Sequence, residues 1–239
     1  MSNFGLLFKG EMVRLLKYKI IQISFAMTLI WLLVIFLIGS EQAVTFVPIF
    51  IFTDAALMTV LLVGASLFYE KQENTLKTLM ITPSGLMAII SSKVLSAIYL
   101  ALQSTIIIAL FSMILFDVEI RFFWLISFVV VIAFTHTAIG YTFSVFAKDF
   151  NELIAQVGMY MIFFAMPTLF YALGVFSEAF ETVLMFSPTH SALLMINYAF
   201  KADVRGILLL IGTIYLMVAP IFLFKYIIIP KYPETAVKD

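Results

Sequence analysis

The sequence predicts an all-α membrane protein built on six transmembrane helices. Hydrophobic residues make up 64% of the 239 and charged residues only 12%, whereas a soluble domain carries roughly 25% charged residues. Mean hydropathy is +1.13. Six apolar runs, near 20–39, 44–69, 94–116, 122–147, 153–173 and 205–229, approach or exceed the length of about 20 residues that a helix needs to cross a hydrocarbon core. A β-barrel would need short alternating strands, and a run such as Ile20 to Ile38 does not alternate.

Residues 1–19 combine Leu6, Leu7, Met12, Val13, Leu15 and Leu16 with Lys9, Glu11, Arg14, Lys17 and Lys19. That mixture predicts an amphipathic helix in the inner interface, its lysines drawn to anionic headgroups. It is not read as a cleavable signal, because about twenty residues precede a span longer than a signal-peptide core. Span one closes at Gly39-Ser40-Glu41-Gln42, and span two ends at Tyr69.

The charged stretch Glu70 to Pro83, EKQENTLKTLMITP, follows directly and must lie in water or among headgroups. Its Leu76, Leu79 and Met80 fall at i, i+3 and i+4, so a short helix there has one apolar face. Asn74-Thr75 is placed to start that helix. Pro83-Ser84-Gly85 turns the chain back, and Lys93 anchors the inner end of span three by snorkelling.

Asp117 to Arg121 joins spans three and four outside, and Lys148 to Glu152 joins four and five inside. Between 174 and 204, Phe176, Phe180, Val183, Leu184 and Phe186 are too apolar for a free loop. Glu178, Glu181 and Ser187-Pro188 interrupt the stretch too often for a span. An outer re-entrant segment is predicted, two short helices hinged at Ser187-Pro188-Thr189-His190. Such irregular backbone needs protein or a watery cavity around it. Residues 1–239 read as a single transmembrane domain without repeats.

With the N-terminus inside, Arg121, Lys201 and Arg205 fall outside and the other 11 of the 14 basic residues inside, which makes both termini cytoplasmic. The predominance of lysine over arginine points to an AT-rich bacterial genome, hence to a bacterial cell membrane. The absence of cysteine excludes disulfides and thiolate metal sites. A net charge of zero gives no case for nucleic acid.

At these residues the chain resembles the membrane subunit of ABC-2 type exporters, along essentially its whole length. That family has an N-terminal interfacial helix, six spans and, after span two, a cytoplasmic motif of the form E-x-E-x-G-T-L-x-x-L-x-x-T-P with a lysine about ten residues later. Here it reads Glu70, Glu73, Asn74, Thr75, Leu76, Leu79, Thr82 and Pro83, then Lys93. Asn74 departs from the usual glycine, yet Asn is the residue next most tolerant of a left-handed backbone. The outer pair of half-helices, with Pro188 at the hinge, is similar to the family as well.

The resemblance implies a dimer, with a second copy or a paralogue, coupled to two copies of an ABC ATPase that carry the ATP and magnesium. No cofactor and no enzyme activity are expected of this chain; it contains no G-x-x-x-x-G-K-[ST] phosphate loop, so it cannot bind and hydrolyse ATP by that route. Loop 70–83 carries over as the coupling helix. Leu76, Leu79 and Met80 would be buried in a groove of the ATPase, with Glu70, Glu73 and Lys77 at the rim. The alternative is a surface helix whose apolar face meets lipid.

Asp54 is the sharpest chemical candidate, because an ionised carboxylate inside a span is costly unless hydrated or paired. It either recognises a cationic or amine-bearing substrate or serves as a structural carboxylate near the outer mouth, protonated or hydrogen-bonded to Thr53, Thr59 or a neighbouring span. His136, between Thr135 and Thr137, reads as a neutral histidine hydrogen-bonded within the bundle, and His190 as a cap on a half-helix; no His-Glu spacing suggests zinc. Gln103 and Gln156 either join helices by hydrogen bonds or line a substrate path. Pro167 predicts a kink, with Phe163, Phe164 and Phe170 beside it as a candidate gate.

The expected function is therefore an exporter subunit that moves a drug, lipid or peptide of hydrophobic or amphipathic character. A stand-alone secondary transporter, which would show broken helices in two related halves, is one alternative. An intramembrane lipid-modifying enzyme, which would need clustered acids, is the other.

Overall fold

The computed structural model describes residues 3–81 and 84–237. Helix α1 (Asn3–Lys17) leads into α2 (Ile20–Ile38) and the long α3 (Ser40–Gln72). The short α4 (Thr75–Met80) is followed by α5 (Leu86–Phe116), α6 (Phe122–Phe146) and α7 (Phe150–Ala172). Two short helices, α8 (Glu178–Leu184) and α9 (Pro188–Ala199), precede α10 (Gly206–Pro233), whose helix runs on to Val237. There is no β-strand among the described residues.

Helices α2, α3, α5, α6, α7 and α10 are each long and apolar enough to cross a membrane. Their side chains are sorted as lipid demands. Ser24, Thr28, Thr59, Ser66, Ser96, Ser104, Thr105, Ser112, Thr137 and Ser144 are buried, while Phe25, Leu33, Phe36, Ile114, Phe123, Phe163 and Ile221 are exposed. With nothing to gain from hiding leucine from lipid, such a bundle packs small hydroxylated residues inward and lets the large apolar ones face out. The protein is a multi-pass helical membrane protein.

Helix α3 is central. Its most apolar 18 residues are 72% buried, against 22% for the corresponding windows of α2 and of α10. It packs most closely on α6 at Gly140. A Cβ there would stand 2.7 Å from the Val60 carbonyl oxygen and 3.3 Å from the Val60 Cα, so only glycine lets the two backbones approach this far.

Three π-helical turns interrupt the spans, at Thr53–Met58, Met161–Ala165 and Phe224–Ile228. Each lies near a proline that cannot donate to the helical ladder, namely Pro48, Pro167 and Pro220. Side chains take up carbonyls around these interruptions. Thr135 on α6 donates to the Leu216 carbonyl, four residues before Pro220, at 2.5 Å. Beside Pro167 the Phe164 carbonyl accepts from Thr189 at 2.7 Å and from Thr168 at 2.9 Å. The kink expected at Pro167 is thus a widened turn fastened to α9.

The spans run longer than their apolar cores. Helix α5 begins at Leu86 rather than near 94, which carries Lys93 two turns inside the helix instead of at its tip. Helix α3 begins at Ser40, so a single residue, Gly39, separates it from α2 in place of the expected four-residue turn.

Candidate functional site

Glu70 lies at the last turn of α3, Lys93 two turns into α5, and Glu11 and Arg14 one turn apart on α1. The fold brings the four together. The Lys93 ammonium donates to both carboxylate oxygens of Glu70 at 2.5 Å and to Glu11 at 2.9 Å. The Arg14 guanidinium donates to Glu70 at 2.9 Å and also to Glu11.

Two acids and two bases leave the cluster neutral. Glu70 is 0% exposed, and Lys93 and Glu11 are each 2% exposed. Burial pushes the Glu11 carboxyl upward, but the Lys93 and Arg14 cations outweigh it and hold the group below its usual range. Arg14 is held above its usual value, since the two carboxylates overcome the opposing effect of burial. Desolvation makes such clusters poor sources of net stability, yet removing one member leaves a bare charge. Its structural effect is to fix α1, α3 and α5 in one register.

A second, exposed set of contacts continues the link. Glu73 accepts from Lys17 at 2.6 Å and from the Tyr18 hydroxyl at 3.0 Å, and these hydrogen bonds hold its carboxyl below the usual range. Partial burial, opposed by a bond to Thr75 and aided by the Glu73 and Glu70 carboxylates, pushes the Tyr18 phenol up to about 12. Lys71 donates to the Ala147 carbonyl at the end of α6, at 3.2 Å. Asn74 then adopts φ 56°, the left-handed conformation that its side chain tolerates, and α4 starts at Thr75 without a side-chain cap.

Two sequence expectations for this loop are corrected. Leu76 is 1% and Leu79 8% exposed, because α4 turns its apolar face onto the bundle, where Leu76 packs in a cluster with Tyr141, Ile228 and Tyr232. They are therefore not available to a partner's groove, and Met80 is half-buried beside them. Glu70 is not at a rim either, since it lies wholly under the loop. The exposed groups among the described residues of the loop are Gln72, Glu73, Asn74, Thr78 and Ile81, the last 84% exposed, while Lys77 is half-buried. Lys93 is a buried ion-pair partner rather than a snorkelling lysine. Thr82 and Pro83 lie outside the described residues.

Asp54 sits at the π-helical turn of α3 and is 4% exposed. Of the partners expected for it, the neighbouring span supplies Ser104 of α5, within hydrogen-bond reach of the carboxyl. Thr53 donates to the Ile49 carbonyl at 2.6 Å, and Asp54 Oδ1 has no hydrogen-bond partner within the chain. His136 bonds the Ile132 carbonyl through Nδ1 at 2.8 Å, as expected of an interior histidine.

Ser187, Pro188 and His190 form a buried hinge at which α8 and α9 meet at 119°. His190 does not cap its helix. Its ring lies edge-on to Tyr171, both nitrogens lack partners within the chain, and it lines a cavity of about 310 Å³ with Glu178 and Asn197. Gln103 and Gln156 are half-buried, and Phe163, Phe164 and Phe170 are exposed on the outer surface of α7 at 70%, 38% and 38%. They form no constriction inside one chain and share no site with Asp54. No group of three or more metal-ligating side chains occurs among the described residues.

An apolar groove of about 570 Å³ lies between α5, α6 and α10 and is lined by Ile90, Val94, Ile98, Phe134 and Phe224, with Lys225 also at its wall. The chain matches no protein-family model, no curated protein and no solved structure.

Proposed function

We propose that this chain is the membrane subunit of an ABC exporter of the ABC-2 type, working as a pair with a second copy or paralogue and with two ATP-hydrolysing subunits. The observation that carries the reading is the construction of the 70–81 segment. It is a charged loop joined to α1 through Arg14 and Lys17, to α5 through Lys93 and to α6 through Lys71. It also ends on a large apolar side chain, Ile81, that the bundle leaves 84% exposed. A push on Ile81 and Thr78 would reach three helices at once, which suits a coupling element better than a passive loop.

In this reading α1 is an interfacial helix, consistent with its exposed Leu6, Val13 and Leu16 beside exposed Lys9 and Lys17. The α8–α9 pair is an outer re-entrant hairpin, which its 119° bend and buried hinge favour. The ATPase is gripped by Ile81 and Thr78, while Leu76 and Leu79 hold α4 to the bundle. ATP and magnesium stay on that partner. The cargo is a drug, lipid or peptide, and an apolar groove with Lys225 on its wall suits an amphipathic molecule with an anionic end entering from the inner leaflet. The protein works in a bacterial cell membrane with both termini cytoplasmic.

The test is co-purification with the ATPase encoded beside this chain, comparing wild type with a Thr78→Glu, Ile81→Glu double substitution. Capture by wild type and its loss in the variant support the reading. No capture, or equal capture by both, overturns it in favour of a stand-alone transporter.

A further inference from the structure

Two small cavities lie end to end along the seam between α3 and α5. The first, about 20 Å³, is lined by Glu11 and Lys93 of the ion cluster and by Ser66 and Ser96. The second, also about 20 Å³, is lined by Asp54, Thr59 and Ser24. Each has room for a water on the scale where roughly 10–15 Å³ suffices. Leu62, Val63, Ala97 and Leu100 line both, so one collar of four apolar side chains separates them.

The polar groups facing these spaces need partners. Asp54 Oδ1 and Ser66 Oγ are both buried with none within the chain, and a buried polar atom left unsatisfied is costly enough that water normally takes the place. Ser96 donates to the Lys93 carbonyl at 2.7 Å and keeps its lone pairs for an acceptor role. Along α3 the polar positions Asp54, Thr59, Ser66 and Glu70 are spaced by about 8, 10 and 6 Å. The widest gap coincides with the collar.

We propose that Asp54 is a proton-binding site reached from the Glu70 end of the bundle through these two hydrated cavities, with Leu62, Val63, Ala97 and Leu100 as its gate. One proton passes along water and hydroxyl oxygens to the Asp54 carboxylate and neutralises it, and the reverse path releases it. The charged surroundings permit this. No basic side chain lines the Asp54 cavity, and α2 contributes Ser24 and no ionisable residue. The ionisable groups nearer the cluster are Glu11 on α1, Lys93 on α5 and Tyr141 on α6, with Glu70, Arg14 and the buried Tyr232 of α10 behind them. His136 on α6 lines neither cavity and packs against Tyr160. The proposal is independent of what the protein carries.

The experiment is infrared spectroscopy of the whole protein in lipid, using the wild-type minus Asp54→Asn difference to isolate one carboxyl band. That band is expected as a protonated carboxylic acid within the window from about pH 8 to pH 5, and transfer to heavy water times its exchange. Ala97→Leu, which fills the collar, should slow exchange about tenfold or more, and Leu100→Ala, which widens it, should speed exchange about as much. Opposite effects from the two cannot come from a shared folding defect, and the amide band checks each fold. The proposal is overturned if no carboxylic-acid band appears between about pH 8 and pH 5, around and above the ordinary range of an aspartate. It is equally overturned if both collar variants exchange at the wild-type rate.

Discussion

Replacing Lys93 by methionine tests the ion cluster directly. Methionine keeps most of the stem and removes the ammonium, so packing is nearly preserved and charge is not. Lys93 contacts both Glu70 and Glu11, and all three are at most 2% exposed. The variant leaves two buried carboxylates sharing Arg14 alone. Breaking a buried ion pair by deleting one partner costs about 3–5 kcal/mol. For a chain of this size each kcal/mol shifts the midpoint by about 2–4 °C, so Tm should fall by about 6–20 °C.

The assay is thermal unfolding in detergent, followed by the fluorescence of Trp31 and Trp124. The compensating double variant Lys93→Met, Glu70→Gln removes one charge of each sign and should recover at least half of the loss. Raising salt should barely change the wild-type midpoint, because buried charges are poorly screened. A single variant within about 2 °C of wild type, or a double variant no better than the single, would refute the reasoning.

Thr135→Val strips the Leu216 carbonyl of its 2.5 Å donor beside Pro220 and should cost about 1–3 kcal/mol in the same unfolding assay. Gly140→Ala should destabilise by about 1–3 kcal/mol, despite alanine's better helix propensity, because its Cβ meets the Val60 backbone. Glu73→Gln should leave Tm nearly unchanged, its pair with Lys17 being exposed, yet quicken hydrogen exchange across 73–80, and mass spectrometry of that peptide checks it. Acid should weaken the hold on α1. Glu11 is held below its ordinary value of 4.5, so its stabilising contribution is complete above that pH and is lost as pH falls through the lowered value. The midpoint is expected to be flat from about pH 7 to pH 5 and to fall below 4.5, and a midpoint unchanged at about pH 3 would count against the paired Glu11.

The spans were legible because twenty consecutive apolar residues leave a chain few alternatives, and because charged residues such as Glu70, Asp117 and Lys148 fall where the runs stop. Their ends were less so. Lys93 looked like a boundary by itself, but Glu70 and Glu11 neutralise it and let α5 continue past it toward Leu86. Those partners lie 23 and 82 positions away, beyond any local pattern. The one local hint was Glu11 and Arg14 at i, i+3 on a helix otherwise read as basic.

The apolar face of α4 was visible in Leu76 and Leu79, but a periodic stripe says that a face is buried and not what covers it. Here the cover is the chain's own α10. The left-handed backbone of Asn74 followed from its chemistry, whereas the exposure of Ile81 depends on the direction of α4. Asp54 was noticed as a charge inside a span. The two cavities that lie between it and the cluster are a property of five packed helices, and no sequence signal announces them.

The measurement that bears most directly on the coupling role of the 70–81 segment exploits the absence of cysteine from the chain. Single Ile81→Cys and Leu76→Cys variants would be co-expressed with the neighbouring ATPase and treated with a short thiol-to-amine cross-linker. A cross-linked product from Ile81→Cys, with none from the inward-facing Leu76→Cys, is the predicted result. No product at Ile81, with both proteins present in the same membranes, would contradict the assignment of this segment as the ATPase contact.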